Sequence, residues 1–169
     1  MGAATNFVVL PSEDLAIVAL TNAAPIGVPE TLTAEFLDLV QYGQIREDWA
    51  GLYQQATGWM NNPEGSLVGK QPPADPAPAR PLGEYLGVYT SDYCGPAIVT
   101  EHDGALQLEM GPKNRTFPLT HWDGDTFTFP VTDENAPPGT ISKAVFSGAP
   151  ATTLNLEYFD SEKLGTFTR

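Results

Sequence analysis

Between residues 82 and 169 short stretches alternate apolar and polar residues, and turn-forming sequences interrupt them at close intervals. A period of two is the period of a strand with one face covered. Strands are expected around 84–90, 96–102, 105–110, 115–121, 125–131, 140–147, 152–159 and 164–168. The alternation is plainest in Ala105-Leu106-Gln107-Leu108-Glu109-Met110, in Thr126-Phe127-Thr128-Phe129 and in Leu154-Asn155-Leu156-Glu157-Tyr158. Between them stand "SDYCGP", "HDGA", "GPKN", "WDGD", "ENAPPG", "SGAPA" and "DSEK", nearly all of them turn chemistry. Eight successive antiparallel strands with short links predict an up-and-down barrel, closed so that no edge is left. A two-sheet sandwich has nearly the same signature at this level.

Upstream, the composition changes. Residues 61–81, "NNPEGSLVGKQPPADPAPARP", are dense in Pro, Gly and Ala without an apolar period, which reads as a semi-rigid extended linker. Three parts follow: 1–60, the linker 61–81, and a barrel domain at 82–169. The first part opens with a hairpin in which "PSED" supplies the turn between Phe7-Val8-Val9-Leu10 and Leu15-Ala16-Ile17-Val18-Ala19-Leu20. Both strands are nearly continuously apolar, as in a sheet covered on both faces. Pro29 opens a helix carrying Leu32, Phe36, Leu39 and Val40, and Gly43 is placed to close it. Asp48 starts a second helix with Trp49, Leu52, Tyr53, Ala56, Trp59 and Met60 along one side. The whole is α+β. Two strands and two helices bearing this much apolar surface make a poor domain alone, so a partner is expected: an upstream domain or another copy of the chain, hence a homo-oligomer.

With 169 residues and 41% apolar content the chain can bury a core. Its formal net charge of -13 repels a phosphate backbone, which argues against nucleic acid as a partner. No apolar run approaches the roughly 20 residues of a membrane span. A single cysteine, Cys94, has no internal partner, so cysteine usage leaves the compartment open.

No catalytic constellation is assembled by the sequence. Activation of a serine by a lysine one helical turn later needs Ser-x-x-Lys, and none of serines 12, 66, 91, 142, 147 and 161 has it. Gly-x-Ser-x-Gly, Tyr-x-Asn and Lys-Thr-Gly are absent as well. His102-Asp103-Gly104 reads as a hairpin turn. The two histidines, His102 and His121, fall in different strands, so no zinc ligand spacing exists and no cofactor or metal is assigned. Asp123-Gly124-Asp125 and Asp133-Glu134-Asn135 lack the calcium-loop pattern and read as turns. Asn114-Arg115-Thr116 fits a glycosylation sequon by composition alone. Tyr85, Tyr89, Tyr93, Phe117, Trp122, Phe127, Phe129, Phe146, Tyr158 and Phe167 either fill the barrel or line a cavity for a small apolar ligand; a filled core is the preferred expectation.

The segment "NFVVLPSEDLAIVALTNAAPIGVPETLTAEFLDLVQYG" resembles the end of the catalytic domain of class C β-lactamases and penicillin-binding-protein-like serine hydrolases. The likeness rests on Leu10-Pro11, Leu15, Ile17-Val18, Leu20-Thr21-Asn22 and the helix from Pro29 to Tyr42. "DWAGLYQQATGWM", the Pro-rich spacer, "PLGEYLGVYTSDYCGPAIV" and "GTFTR" resemble the lipocalin-like C-terminal domain that many of these hydrolases carry. The resemblance implies a short end of a hydrolase domain followed by an eight-stranded lipocalin-like barrel. All three active-site motifs of the family would lie outside this chain, so no residue here inherits a catalytic role. The expected function is that of a non-catalytic C-terminal fragment, whose barrel shapes active-site access or mediates oligomerisation in a parent acting through a serine ester. A periplasmic or secreted parent fits the same resemblance. The alternative is a stand-alone lipocalin-like module that binds a small molecule.

Overall fold

The computed structural model describes residues 2–133 and 135–169 and divides into two compact units. One takes the chain up to Asn62 with the loop at 135–138, and the other takes Pro63–Asp133 and Gly139–Arg169.

In the first unit β1 (Ala4–Leu10) and β2 (Leu15–Thr21) pair antiparallel, with Phe7 opposite Val18 and Leu10 opposite Leu15. Pro11–Glu13 form one 3-10 turn, and Asp14 completes it in the left-handed region at φ 49. Helix α1 (Val28–Tyr42) has Pro29 in its first turn and is closed by Gly43, whose N–H donates to the Leu39 carbonyl at 3.0 Å. Helix α2 (Trp49–Thr57) is capped by Asp48, which accepts from the Gly51 N–H at 3.0 Å. Gly27 sits before α1 at φ 86, and a Cβ there would lie 2.7 Å from the Tyr53 Cβ. Only a residue without a side chain lets the start of α1 close on α2.

Helix α1 packs on both strands and on α2. The strand face bearing Asn6, Val8, Ile17 and Ala19 is half-buried, and Asn6 donates to the Thr33 hydroxyl at 2.6 Å. The other face is open, with Phe7, Val9, Val18 and Leu20 retaining 69%, 56%, 61% and 71% exposure. Helix α1 covers one face, and among the described residues of this unit nothing covers the apolar opposite face.

The second unit is a barrel of β3 (Gly87–Ser91), β4 (Gly95–His102), β5 (Ala105–Met110), β6 (Arg115–Pro118), β7 (Thr120–Asp123), β8 (Thr126–Pro130), β9 (Ile141–Ser147), β10 (Thr153–Leu156) and β11 (Thr166–Thr168). The hydrogen-bonded order is β6-β5-β4-β3-β11-β10-β9-β8-β7. Its two ends are successive pieces of one stretch, parted by Leu119, whose N–H donates to the Leu106 carbonyl at 2.9 Å. The residues expected as the fourth strand thus bend once, pairing with β5 before the bend and with β8 after it. Nine hydrogen-bonded strands are eight strand-forming stretches, and the sheet closes through the bent one.

Side chains fill the interior. Tyr85, Tyr89, Leu106, Leu108, Phe127, Phe129, Phe146, Leu154, Leu156 and Phe167 are buried. The Phe146 ring lies 4.9 Å from that of Tyr85, 5.7 Å from Phe127 and 5.9 Å from Tyr89, centroid to centroid, in tilted and edge-on arrangements. Of the ten aromatics expected to face inward or line a cavity, Tyr93 stands exposed in the β3–β4 turn, and Phe117, Trp122 and Tyr158 are half-buried.

From Pro63 onward the Pro-rich segment belongs to this unit and is bonded to the barrel near both of its ends. Glu64 exchanges bonds with the start of β9, its N–H donating to the Thr140 hydroxyl and its carbonyl accepting from the Ile141 N–H, both at 3.0 Å. Gly65, at φ 116, passes so near that a Cβ would fall 1.8 Å from the Ile141 carbonyl oxygen. Ser66 donates to Glu157 at 3.2 Å. At the far end Ala77 donates to Asp123 at 2.7 Å and accepts from the Gly124 N–H at 2.8 Å. Because strands alternate in direction, the turns at 123–125 and 148–152 and the start of β3 share one end of the barrel. Residues 63–66 meet the opposite end, so the segment runs from one end to the other.

Candidate functional site

The densest polar cluster is at the barrel end reached by Ala77–Pro81. Arg80 is its centre: Nε donates to Asp125 at 2.9 Å, Nη1 to Glu84 at 3.1 Å and to the Gly148 carbonyl at 2.7 Å, and the backbone N–H to the Tyr85 hydroxyl at 2.8 Å. The Tyr85 hydroxyl donates to the same Asp125 oxygen at 2.7 Å, and the guanidinium lies 5.0 Å from the centre of the Tyr85 ring. Arg169 repeats the arrangement beside it, 5.3 Å from the Tyr89 ring centre, with bonds to the Leu86 and Glu84 carbonyls.

Charge makes this cluster a fastening rather than a reaction centre. Bonds from Arg80 and then from Tyr85 hold the Asp125 carboxyl below the usual carboxylate range, which makes it a weak base at neutral pH. Burial, reinforced by the Asp125 bond, pushes the Tyr85 hydroxyl up, so it stays protonated and donates. The bond to Asp125 raises Arg80 further above its already high value. His121, nearby on β7, donates from Nε2 to the Gly124 carbonyl at 3.0 Å and packs edge-on against Phe127 at 5.3 Å. The hydroxyl beside Asp125 is that of Tyr85, and the two shifts run apart, the carboxyl down and the hydroxyl up, so the pair does not make a nucleophile.

The residues weighed from the sequence occupy separate places. His102 and Asp103 share the exposed β4–β5 turn, 3.0 Å apart, on a different strand from His121. Asp123 and Asp125 flank the β7–β8 turn and bind the Pro-rich segment. Asp133 and Asn135 have partners of their own, while Glu134 lies outside the described residues. Cys94 is half-buried with Sγ 4.0 Å from the Leu164 carbonyl. Asn114 sits at φ 48 in the turn before β6. Among the described residues no group of three or more His, Cys, Asp or Glu is arranged to hold a metal ion, and no helix is long and apolar enough to cross a membrane.

In the first unit the functional candidate is a surface. The open hairpin face is a charge-free patch of Thr5, Phe7, Val9, Ala16, Val18 and Leu20. A separate groove of about 460 Å³ runs between the start of α1 and α2, lined by Ile26, Val28, Leu32, Ala50, Gln54 and Asn61 among others. Beneath these, Asp38 is buried and accepts from both the Arg46 N–H and Trp49 Nε1 at 2.8 Å. Those two bonds, that of Trp49 first, keep its carboxyl below the usual range and fix the turn between the helices. Sequence reasoning passed over both Asp38 and Arg80. Arg80 had one signal, a cation closing a Pro-rich stretch, and Asp38 had none beyond being a charge on an apolar helix.

Comparison with known proteins adds to this geometry. The crystal structure of the C-terminal domain of penicillin binding protein Rv0907 is similar to this chain at 67% identity, with a TM-score of 0.55, covering 62% of this chain and 100% of that one. A search of curated proteins finds no match. Residues 71–160 match a domain of unknown function, DUF3471, a C-terminal domain of β-lactamase-like proteins. Since that match spans more than half of the chain, the chain belongs to the DUF3471 family.

Proposed function

We propose that this chain is the non-catalytic C-terminal part of a β-lactamase-like serine hydrolase, and that its barrel shapes access to the active site of that enzyme. The observation that carries the proposal is the 67% identity between this chain and the whole crystallised C-terminal domain of a penicillin binding protein. The first unit supports it physically. Its uncharged apolar hairpin face and its two unpaired strand edges suit the completion of a larger sheet. The filled barrel speaks for an accessory role rather than for small-molecule carriage, since the interior is occupied by Tyr85, Phe127 and Phe146.

The reaction of the parent enzyme is acyl transfer through a serine ester, on a peptide, ester or lactam substrate. None of that chemistry resides in these residues. The test compares the full-length hydrolase with a variant lacking residues 63–169, using nitrocefin or a p-nitrophenyl ester as the small substrate and a peptide as the large one. Retained turnover of the small substrate with an altered kcat/KM for the large one supports an access role. Unchanged kinetics for both, or turnover by the 169-residue chain alone that survives purification, overturns it.

A further inference from the structure

We propose that residues 66–81 are a releasable strap that covers one end of the barrel and lifts on acidification while the barrel itself stays folded. The strap is held at two places of unequal chemistry. Its far latch depends on carboxylates: Ala77 binds Asp123, and Arg80 binds Asp125 and Glu84. Its near latch is mixed, for Ser66 donates to Glu157, whereas Glu64 bonds to Thr140 and Ile141, which do not titrate. Between the latches Lys70–Pro76 are exposed, so little apolar burial holds the middle.

Charge-assisted bonds are roughly twice as strong as neutral ones, and a carboxyl loses that advantage once protonated. Facing Asp125 are Arg80 from the strap and the Tyr85 hydroxyl from the stretch before β3, with Glu84 sharing the guanidinium. Facing Glu157 are Ser66 from the strap and Lys143 from β9, whose Nζ lies 3.5 Å away; Glu64 and Asp133 lie near Tyr158 beside it. Burial pushes Glu157 up, yet the bonds from Ser66 and Lys143 outweigh it and the net shift is downward. With the folded values of Asp125 and Glu157 depressed, the part of the fastening that these two supply is complete above the ordinary carboxylate range near pH 4 and is lost as pH falls through their lower folded values. The barrel core is held by Leu, Phe and Tyr packing that no proton in this range touches. Low-stability segments open ahead of such a core. Lifting of the strap leaves the chain tied at Glu64 and at β3 and uncovers Tyr85, Asp125 and the turn at 148–152.

The experiment follows amide protection by NMR across pH 7 to 2.5 in the 169-residue chain, with intrinsic exchange corrected. Ala77, Arg80 and Gly124 are expected to lose protection at least tenfold below pH 4 relative to the amides of β4 and β5, with Ser66 following. At pH 7, Arg80→Gln is expected to produce the same loss at Ala77 and Gly124 with β4 and β5 unchanged, and Gly65→Ala to free Ser66 and the neighbouring Ile141 amide with Ala77 and Gly124 unchanged. Loss of strap and barrel protection in one step, or strap protection that persists until the barrel unfolds, overturns the proposal. The wild-type series decides the matter even where a variant fails to fold.

Discussion

The two units spend their apolar residues in opposite ways. Among the described residues every large buried apolar side chain belongs to the second unit, from Tyr85 to Phe167. All the exposed large ones except Val88, Tyr93 and Leu164 belong to the first unit. What the first unit buries is small or polar: Gly27, Pro29, Thr33, Asp38 and Pro137. Capping, turn and hydrogen-bond chemistry are thus intact in both units, but only one of them has a core. Correct local structure and a self-sufficient fold are separate achievements, and the second requires enough apolar surface turned inward.

The contrast is tested most severely by Phe146→Ala. It removes a ring that touches Tyr85, Tyr89 and Phe127 and is expected to lower barrel stability by about 3–5 kcal/mol in urea unfolding. Next in size is the difference between polypeptides 63–169 and 82–169. The shorter one leaves Asp125 without Arg80, and its thermal midpoint should fall by several degrees, whereas the longer one should melt as the barrel does in the whole chain. Tyr85→Phe keeps the packing and deletes the hydroxyl bonds to Asp125 and Arg80, a loss of about 1–2 kcal/mol. Smallest of all, Phe7→Ala should move stability by less than about 0.5 kcal/mol, because the ring is already in solvent. A large effect at Phe7 alongside a small one at Phe146 would reverse the comparison. Its sharper form is a dye-binding measurement: Phe7→Ser with Val18→Ser should reduce binding of an apolar fluorophore and any self-association seen by light scattering.

Much of this was legible in the residues. The eight alternating stretches correspond to the barrel strands, with the fourth bent at Leu119, because period two and turn residues are local signals. Pro29, Gly43 and Asp48 mark helix boundaries through caps, which are equally local. Other features depended on distance in space. The apolar run of β1 and β2 signalled burial without saying what does the covering, and α1 covers one face only. The course of residues 63–81 depends on Gly65 approaching Ile141 and on Arg80 reaching Asp125, contacts between residues far apart in the chain. Composition indicated extended backbone there, and extended backbone is compatible with either a free spacer or a bound one.

The single bend at Leu119 has a thermodynamic consequence. Because β6 and β7 join the two ends of the strand order, every stretch of the barrel has two neighbours, and removing any one of them leaves two others with a single neighbour each. Partial opening is therefore nearly as costly as complete opening, and the barrel proper should unfold in one cooperative transition, with the same midpoint by aromatic fluorescence and by backbone circular dichroism. The hairpin of β1 and β2 has no such ring of neighbours and should melt gradually from its open edges.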